Sequence, residues 1–184
     1  KHTDTMIVAS YDPVRKALTL VSIPRDTRVV VPGLRVRRIN EVFAATYHLS
    51  HSIMAASSAT ARVVGELLGI DLPYFVQVDY AGFRRVIDLL GGVDVQVARP
   101  MDYDDNWGHL HIHFAPGAYR LDGLRSLEYL RFRDESGDLG RIERQQGYLR
   151  ALLAKAGSPR ALLALPALGE VVARNVTTNL SAWD

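Results

Sequence analysis

The stretch YAGFRRVIDLLGGVDVQV, residues 80–97, changes its hydrophobic period halfway along. Over Tyr80–Leu90 the large apolar residues return every three or four positions (Tyr80, Phe83, Ile87, Leu90), which lines one face of a helix. Gly91-Gly92 stops it. Val93, Val95 and Val97 then alternate with Asp94 and Gln96, the period of a strand. A helix that hands over to a strand through a glycine pair belongs to a mixed α/β or α+β layered architecture. Outward from it the same mixture continues. Thr5–Tyr11 and Ala17–Ile23 read as two strands joined through an Asp12-Pro13 turn, and Arg28–Val31 as a short strand closed by Pro32-Gly33. Asn40–Tyr47 and Ile53–Leu68 have helical spacing, the second ended by Gly69. Tyr74–Val78 and His109–Phe114 are strand-like. Leu121–Leu130, Gly140–Lys155 and Pro159–Val172 read as helices, and the polar tail from Asn175 as peripheral. The expectation is an α/β fold, one mixed domain over residues 1–184. Its central sheet should contain Thr5–Tyr11, Ala17–Ile23 and Val93–Val97.

Composition narrows the function. The 184 residues are 48% hydrophobic and 23% charged, enough for a self-sufficient core. There is no Cys, so disulfides, thiolate metal sites and Cys nucleophiles are excluded. No run of 18 apolar residues is present to span a membrane. A net charge of +2 is too small for bulk attraction to nucleic acid, and no recognition motif supports that reading. Nucleophile elbow, Walker A loop and GxGxxG fingerprint are all missing.

Arginine position carries more information. Of the 22 basic residues 19 are Arg, five of them in Arg25–Arg38 and seven in Arg120–Arg150. Arg131-Phe132-Arg133, read as an extended segment, aims two guanidinium forks at one spot, a match for a diphosphate. Gly137-Asp138-Leu139-Gly140-Arg141 follows, with Arg144-Gln145-Gln146 on the first turns of the next helix, where amides and dipole favour anions. Asp4 stands at the start of the first strand, a position suited to Mg²⁺, which takes one or two carboxylates plus phosphate oxygens. Asp102, Asp104 and Asp105 read as a solvated loop. His109, His111 and His113 alternate on one strand face, and with no Asp or Glu in that segment they read as structural rather than as a Zn²⁺ site.

Seven pieces, in order, then carry a resemblance: Thr3-Asp4-Thr5-Met6; Ser22-Ile23-Pro24-Arg25-Asp26-Thr27; Arg38-Ile39-Asn40; Leu90-Gly91-Gly92-Val93; Gly117 with Leu121-Asp122-Gly123; Tyr129 to Arg133; and Gly137 to Arg141 with Arg144-Gln145-Gln146. From Asp4 to about Lys155 the chain resembles the LytR-CpsA-Psr (LCP) family of bacterial cell-envelope phosphotransferases. The resemblance implies a mainly β centre flanked by helices, with an apolar groove for a lipid tail. It implies transfer of a glycopolymer from a polyprenyl-pyrophosphate carrier to peptidoglycan through a phosphodiester. It also implies an extracytoplasmic location, held at the cytoplasmic membrane by one transmembrane helix upstream of residue 1. Asp4 corresponds to a Mg²⁺ ligand. Arg25, Arg28, Arg131, Arg133, Arg141 and Gln145 correspond to pyrophosphate-contacting positions, with Arg25, Arg131, Arg133 and Asp4 as the catalytic set. A second acidic Mg²⁺ ligand of the family falls before residue 1. Where the family often has Gly-Gly, this chain reads Tyr47-His48-Leu49-Ser50-His51.

In such chemistry the protein positions and neutralises charge rather than forming bonds. Candidates for the base that takes the acceptor's proton are Asp4, Asp26 and Asp138. Ile53–Leu68 and Leu121–Leu130 are candidate walls of a lipid tunnel. Two rivals use the same residues: a polyprenyl-pyrophosphate hydrolase with water as acceptor, and a non-catalytic envelope module that binds anionic lipid. The fork argument makes a direct prediction. Arg133→Lys keeps the charge and loses the bidentate geometry, so transfer activity falls by ~10-fold or more. Arg15→Lys, outside every motif, leaves activity unchanged; equal activity of the two variants removes the argument.

Overall fold

The computed structural model describes residues 3, 5–106, 110–132 and 137–181, the side chains of 137–139 excepted. Two compact units emerge, one from residues 1–77 with 177–184, the other Val78–Val176.

The first unit opens with a hairpin of β1 (Met6–Asp12) and β2 (Ala17–Ile23), paired antiparallel from Met6↔Ile23 to Asp12↔Ala17. Its turn is built by Asp12, whose Oδ1 accepts from the Val14 and Arg15 amides at 2.9 and 3.0 Å, an Asx-type closure. Two helices follow, α1 (Ile39–Ser50) and α2 (Ile53–Leu68). Ser52 caps α2 through the Ala55 amide, and Gly69 ends it at φ 67°, a conformation glycine adopts without Cβ strain. The buried positions of α2 include Ala56, Thr60, Val63 and Val64, one face of a 3.6-residue repeat. Of these, Val63 and Val64 pack with Ile23, Val31, Ile39 and Val42 into this unit's core.

The chain leaves through β3 (Val76–Val78) and returns through β8 (Val176–Thr178), which pair with each other. Around them Phe75 N–H donates to Asn179 Oδ1 (2.9 Å), Thr178 Oγ1 to the Phe75 carbonyl (2.6 Å) and Asn179 Nδ2 to the Pro73 carbonyl (2.7 Å). The tail after Asn175 is therefore integral, not peripheral. Its polar residues are there to satisfy a backbone about a hundred positions away.

The second unit begins with α3 (Tyr80–Leu90), capped by Asp79 through the Gly82 amide and closed by Gly91 at φ 79°. β4 (Val93–Val97) pairs antiparallel with β7 (Gly117–Leu121), and β5 (Met101–Asp105) with β6 (Leu110–Phe114). Then come α4 (Gly123–Arg131), α5 (Gly137–Ala156), α6 (Pro159–Leu163) and α7 (Leu165–Asn175). The core gathers Ile87, Val93, Val97, Ile112, Phe114, Leu121, Tyr129, Phe132 and Tyr148. Each large apolar side chain so buried contributes about 1.5–3 kcal/mol. No helix among the described residues is long and apolar enough to cross a membrane.

The mixed α/β class holds, with corrections of detail. The ladders pair β1 with β2 and β4 with β7, so the expected three-strand sheet resolves into two ladders of two. Arg28–Val31 forms only a single bridge, Arg28↔Arg38. The expected helix from Leu121 starts at Gly123, because Leu121 pairs with Val93 in β7 and Asp122 caps α4 through the Arg125 amide. Pro159–Val172 is two helices broken at Ala164, since Pro166 has no N–H to continue the first.

Gly123 fixes the packing of α4 on α3. A Cβ there would lie 2.6 Å from Arg84 Cα and nearer still to its carbonyl oxygen, while the Gly123 amide donates to Asp88 Oδ1 at 2.8 Å. Gly123→Ala is expected to destabilise the protein by about 1–3 kcal/mol through overpacking. Gly147→Ala in α5, where nothing lies within 4 Å of the new Cβ, should stabilise by about 0.5–1 kcal/mol. Urea denaturation of both variants checks the contrast.

Candidate functional site

In the first unit the site residues sit where the strand pair gives way to α1. Pro24–Thr27 turns sharply, with the Thr27 amide and Oγ1 both donating to the Pro24 carbonyl (3.0 and 2.6 Å). The next contacts sew this turn to the helix: the Ile39 amide donates to the Thr27 carbonyl (2.9 Å) and the Asn40 amide to the Arg25 carbonyl (3.2 Å). Arg25 is thus held by its backbone at the α1 N-terminus. Its side chain is 20% exposed, with Nε 3.4 Å from Asp26. Arg28 is exposed and, among the described residues, its guanidinium has no hydrogen bond or ion pair.

The clamp that holds this turn draws in Glu41, which belongs to none of the seven motifs. Arg38 reaches Asp26 at 3.1 Å and Glu41 at 2.8 Å. Glu41 also accepts from the Arg37 and Arg38 amides at 2.9 and 3.2 Å. With these donors, the Arg37 amide foremost, the Glu41 carboxyl is lowered from 4.5 to about 2. The Glu41 hydrogen bond in turn raises Arg38 above its ordinary value. Asp26, a candidate base, is an ion-pair partner of Arg38 and Arg25.

In the second unit Arg131 is the last residue of α4, not part of an extended run. The two-residue repeat of a strand therefore does not set where the Arg131 side chain points. Arg133 itself, like Asp4, lies outside the described residues, as does the Asp138 side chain. The Arg131 guanidinium stands over the Tyr80 ring, 5.8 Å from its centroid. Phe132 leaves the helix with φ −56° and ψ 137° and is buried. Its carbonyl accepts from Arg144 Nη1 at 2.8 Å, tying the end of α4 to α5. The Arg144 guanidinium also lies over the Phe132 ring, 5.2 Å from its centroid. Arg141 is buried and Gln145 half-buried one turn further along α5, a spacing that puts both on one helix face. Burial beneath this face pushes the Tyr148 hydroxyl up to about 12.

Away from these residues, the exposed face of the β5–β6 ladder sets histidines against carboxylates. His111 Nδ1 lies 2.6 Å from Asp104, and His113 Nδ1 3.2 Å from Asp102. The hydrogen bond to Asp102 raises His113, and that to His111 lowers Asp104. The acidic run is thus a strand rather than a solvated loop. The acids absent from the histidine segment come from the facing strand, in a register no local pattern displays. Among the described residues no group of three His, Asp or Glu is arranged to hold a metal ion. The candidate tunnel walls use their buried faces within their own units: Ala56, Val63 and Val64 of α2 in one, Ser126 and Tyr129 of α4 in the other. A cleft of about 440 Å³ beside the end of α2 is lined by Ala61, Arg62, Ile70, Leu72 and Phe75 among others.

The comparisons with known proteins define the class. The LytR_cpsA_psr family model matches residues 1–184, and the chain belongs to that family. It is 33% identical over 183 residues to TagV, a polyisoprenyl-teichoic acid–peptidoglycan teichoic acid transferase of Bacillus subtilis (strain 168), covering 97% of this chain and 45% of that protein. The crystal structure of B. subtilis TagV superposes with a TM-score of 0.75 at 32% identity, over 98% of this chain and 67% of that one. TagT bound to LIIa-WTA superposes at 0.73 with 26% identity, over 99% and 66%. The chain spans about half the length of the curated relatives it matches.

The Glu41 clamp makes a pH prediction. A carboxyl with a depressed folded-state value contributes stability that is complete above its ordinary 4.5 and is lost as pH falls through about 2. An NMR titration of the Glu41 carboxyl should give a midpoint near 2. Arg38→Ala should raise that midpoint yet leave it below 4.5, since the Arg37 amide still donates. A wild-type midpoint at the ordinary value would show that the clamp does not hold in solution.

Proposed function

We propose that this chain is the phosphotransferase domain of an enzyme that moves a glycopolymer from a polyprenyl-pyrophosphate carrier onto peptidoglycan. The observation that carries the reading is the family match over residues 1–184; the transferase function of TagV supports it. On this reading the acceptor sugar hydroxyl attacks the phosphorus that bears the glycopolymer. A new phosphodiester bond forms, the bridging P–O bond of the diphosphate breaks, polyprenyl monophosphate leaves, and the hydroxyl proton passes to a base or to solvent. Arg25, Arg28, Arg131, Arg133, Arg141 and Gln145, the pyrophosphate-contacting positions that the family resemblance implies, neutralise charge as it shifts onto the leaving phosphate. An apolar groove for the prenyl tail completes the proposal. On the same reading the domain works outside the cytoplasmic membrane, tethered by a helix upstream of residue 1.

Mg²⁺ at Asp4 belongs to the proposal, as the group that would neutralise diphosphate oxygens. The described carboxylate beside Arg25, Asp26, is already paired with two arginines, and no three-ligand cluster is present among the described residues. The described side chains by themselves do not make up a metal site.

The deciding experiment supplies a labelled polyprenyl-pyrophosphate glycan and peptidoglycan, with Mg²⁺. Label entering peptidoglycan with one equivalent of polyprenyl monophosphate released is the expected result. Release without incorporation identifies the hydrolase; binding without release identifies a non-catalytic module. Asp4→Asn should cost ~10-fold or more in transfer while retaining lipid binding. Full activity in Asp4→Asn, or in excess chelator, removes the metal from the proposal.

A further inference from the structure

Four arginines of the second unit lie on or near the site, and their guanidinium groups differ in what they already hold. Arg144 donates to the Phe132 carbonyl at 2.8 Å. Arg125 sits on the Phe114 ring at 3.9 Å and donates to Glu128 and the His113 carbonyl at 3.1 and 3.0 Å. Arg141 is buried. Arg131 is exposed, and among the described residues its guanidinium makes no hydrogen bond or ion pair. Its contact is the face of Tyr80, 5.8 Å away.

An aromatic face holds a guanidinium through the ring quadrupole, and this leaves the N–H edges of the fork unused. A carboxylate partner would occupy those edges and add a negative charge beside an incoming anion. Tyr80 does neither.

The ring is also well fixed. Tyr80 is the first residue of α3, directly after its Asp79 cap, whose Oδ1 accepts from the Gly82 amide at 2.7 Å. A Cβ at Gly82 would run into Asn175 of α7, and one at Gly123 into the Arg84 backbone. α3 therefore packs closely on both α7 and α4, and the distance from Tyr80 to the end of α4 is set by backbone contact.

We propose that Tyr80 is a positioning residue for Arg131: its ring face orients the guanidinium so that both N–H edges are presented to a diphosphate. The inference rests on the diphosphate-transfer reading above and adds to it a residue outside the recognised motifs.

The test uses the full chain and farnesyl diphosphate as probe, with binding measured by calorimetry and melting temperature recorded for every variant. Tyr80→Leu should weaken binding about 3- to 10-fold with an unchanged melting temperature. Tyr80→Phe, which keeps the ring face, should bind within about 2-fold of wild type. Tyr80→Gln, a polar residue at this half-exposed helix start, repeats the test if Tyr80→Leu folds poorly. In an Arg131→Ala background Tyr80→Leu should have no further effect. Wild-type affinity in both Tyr80→Leu and Tyr80→Gln overturns the inference, and so does the same fold-loss with Arg131 already removed. Both results leave the transferase reading standing. A wild-type chain that binds no farnesyl diphosphate overturns the diphosphate reading and the inference with it.

Discussion

Gly123 has no side chain, and the backbone of Arg84 fills the space where one would stand. The geometry of the second unit follows from that approach. With α4 lying directly on α3, the end of α4 is carried to the start of α3, where Arg131 meets Tyr80. Phe132 then turns out of the helix into the core, and its carbonyl is caught by Arg144 from α5. Backbone-to-backbone contact is stiff because neither side has rotamers to adjust. An arginine placed by such a contact keeps its position without an ion pair.

The first unit solves the same problem with charge. Arg25 sits in a turn sewn to α1 by two amide–carbonyl hydrogen bonds, and Arg38, Asp26 and Glu41 close over the junction. These pairs are largely exposed, so individually they add little to stability. Their effect is geometric. Glu41 satisfies two backbone amides and a guanidinium at the entrance to α1, which fixes how the turn meets the helix.

Both arrangements suit a reaction in which the protein supplies orientation and charge rather than a covalent intermediate. Family membership joins this chain to enzymes named for moving teichoic acid onto peptidoglycan. The distribution of its arginines is consistent with that chemistry. Some are committed to holding the fold, as Arg38, Arg125 and Arg144 are, while Arg28 and Arg131 keep their donors available among the described residues.

Much of this was present in the chain as written. Tyr80–Leu90, Val93–Val97, Ile53–Leu68 and Ala17–Ile23 have the ends that their periods and glycines indicate, because period and capping act within a few residues. The motif order that revealed the family is likewise a property of the string. Other features needed the tertiary structure. The Asp102–His113 and Asp104–His111 pairs join residues whose partnership depends on strand register. β8 was invisible because its partner lies about a hundred residues upstream. Arg131-Phe132-Arg133 looked extended, yet Arg131 ends a helix, since the packing of Tyr129 and Phe132 into the core outweighs the local pattern. Sequence shows how many guanidinium groups there are. Which of them are already engaged is set by neighbours distant along the chain, and only the folded structure brings those neighbours into contact.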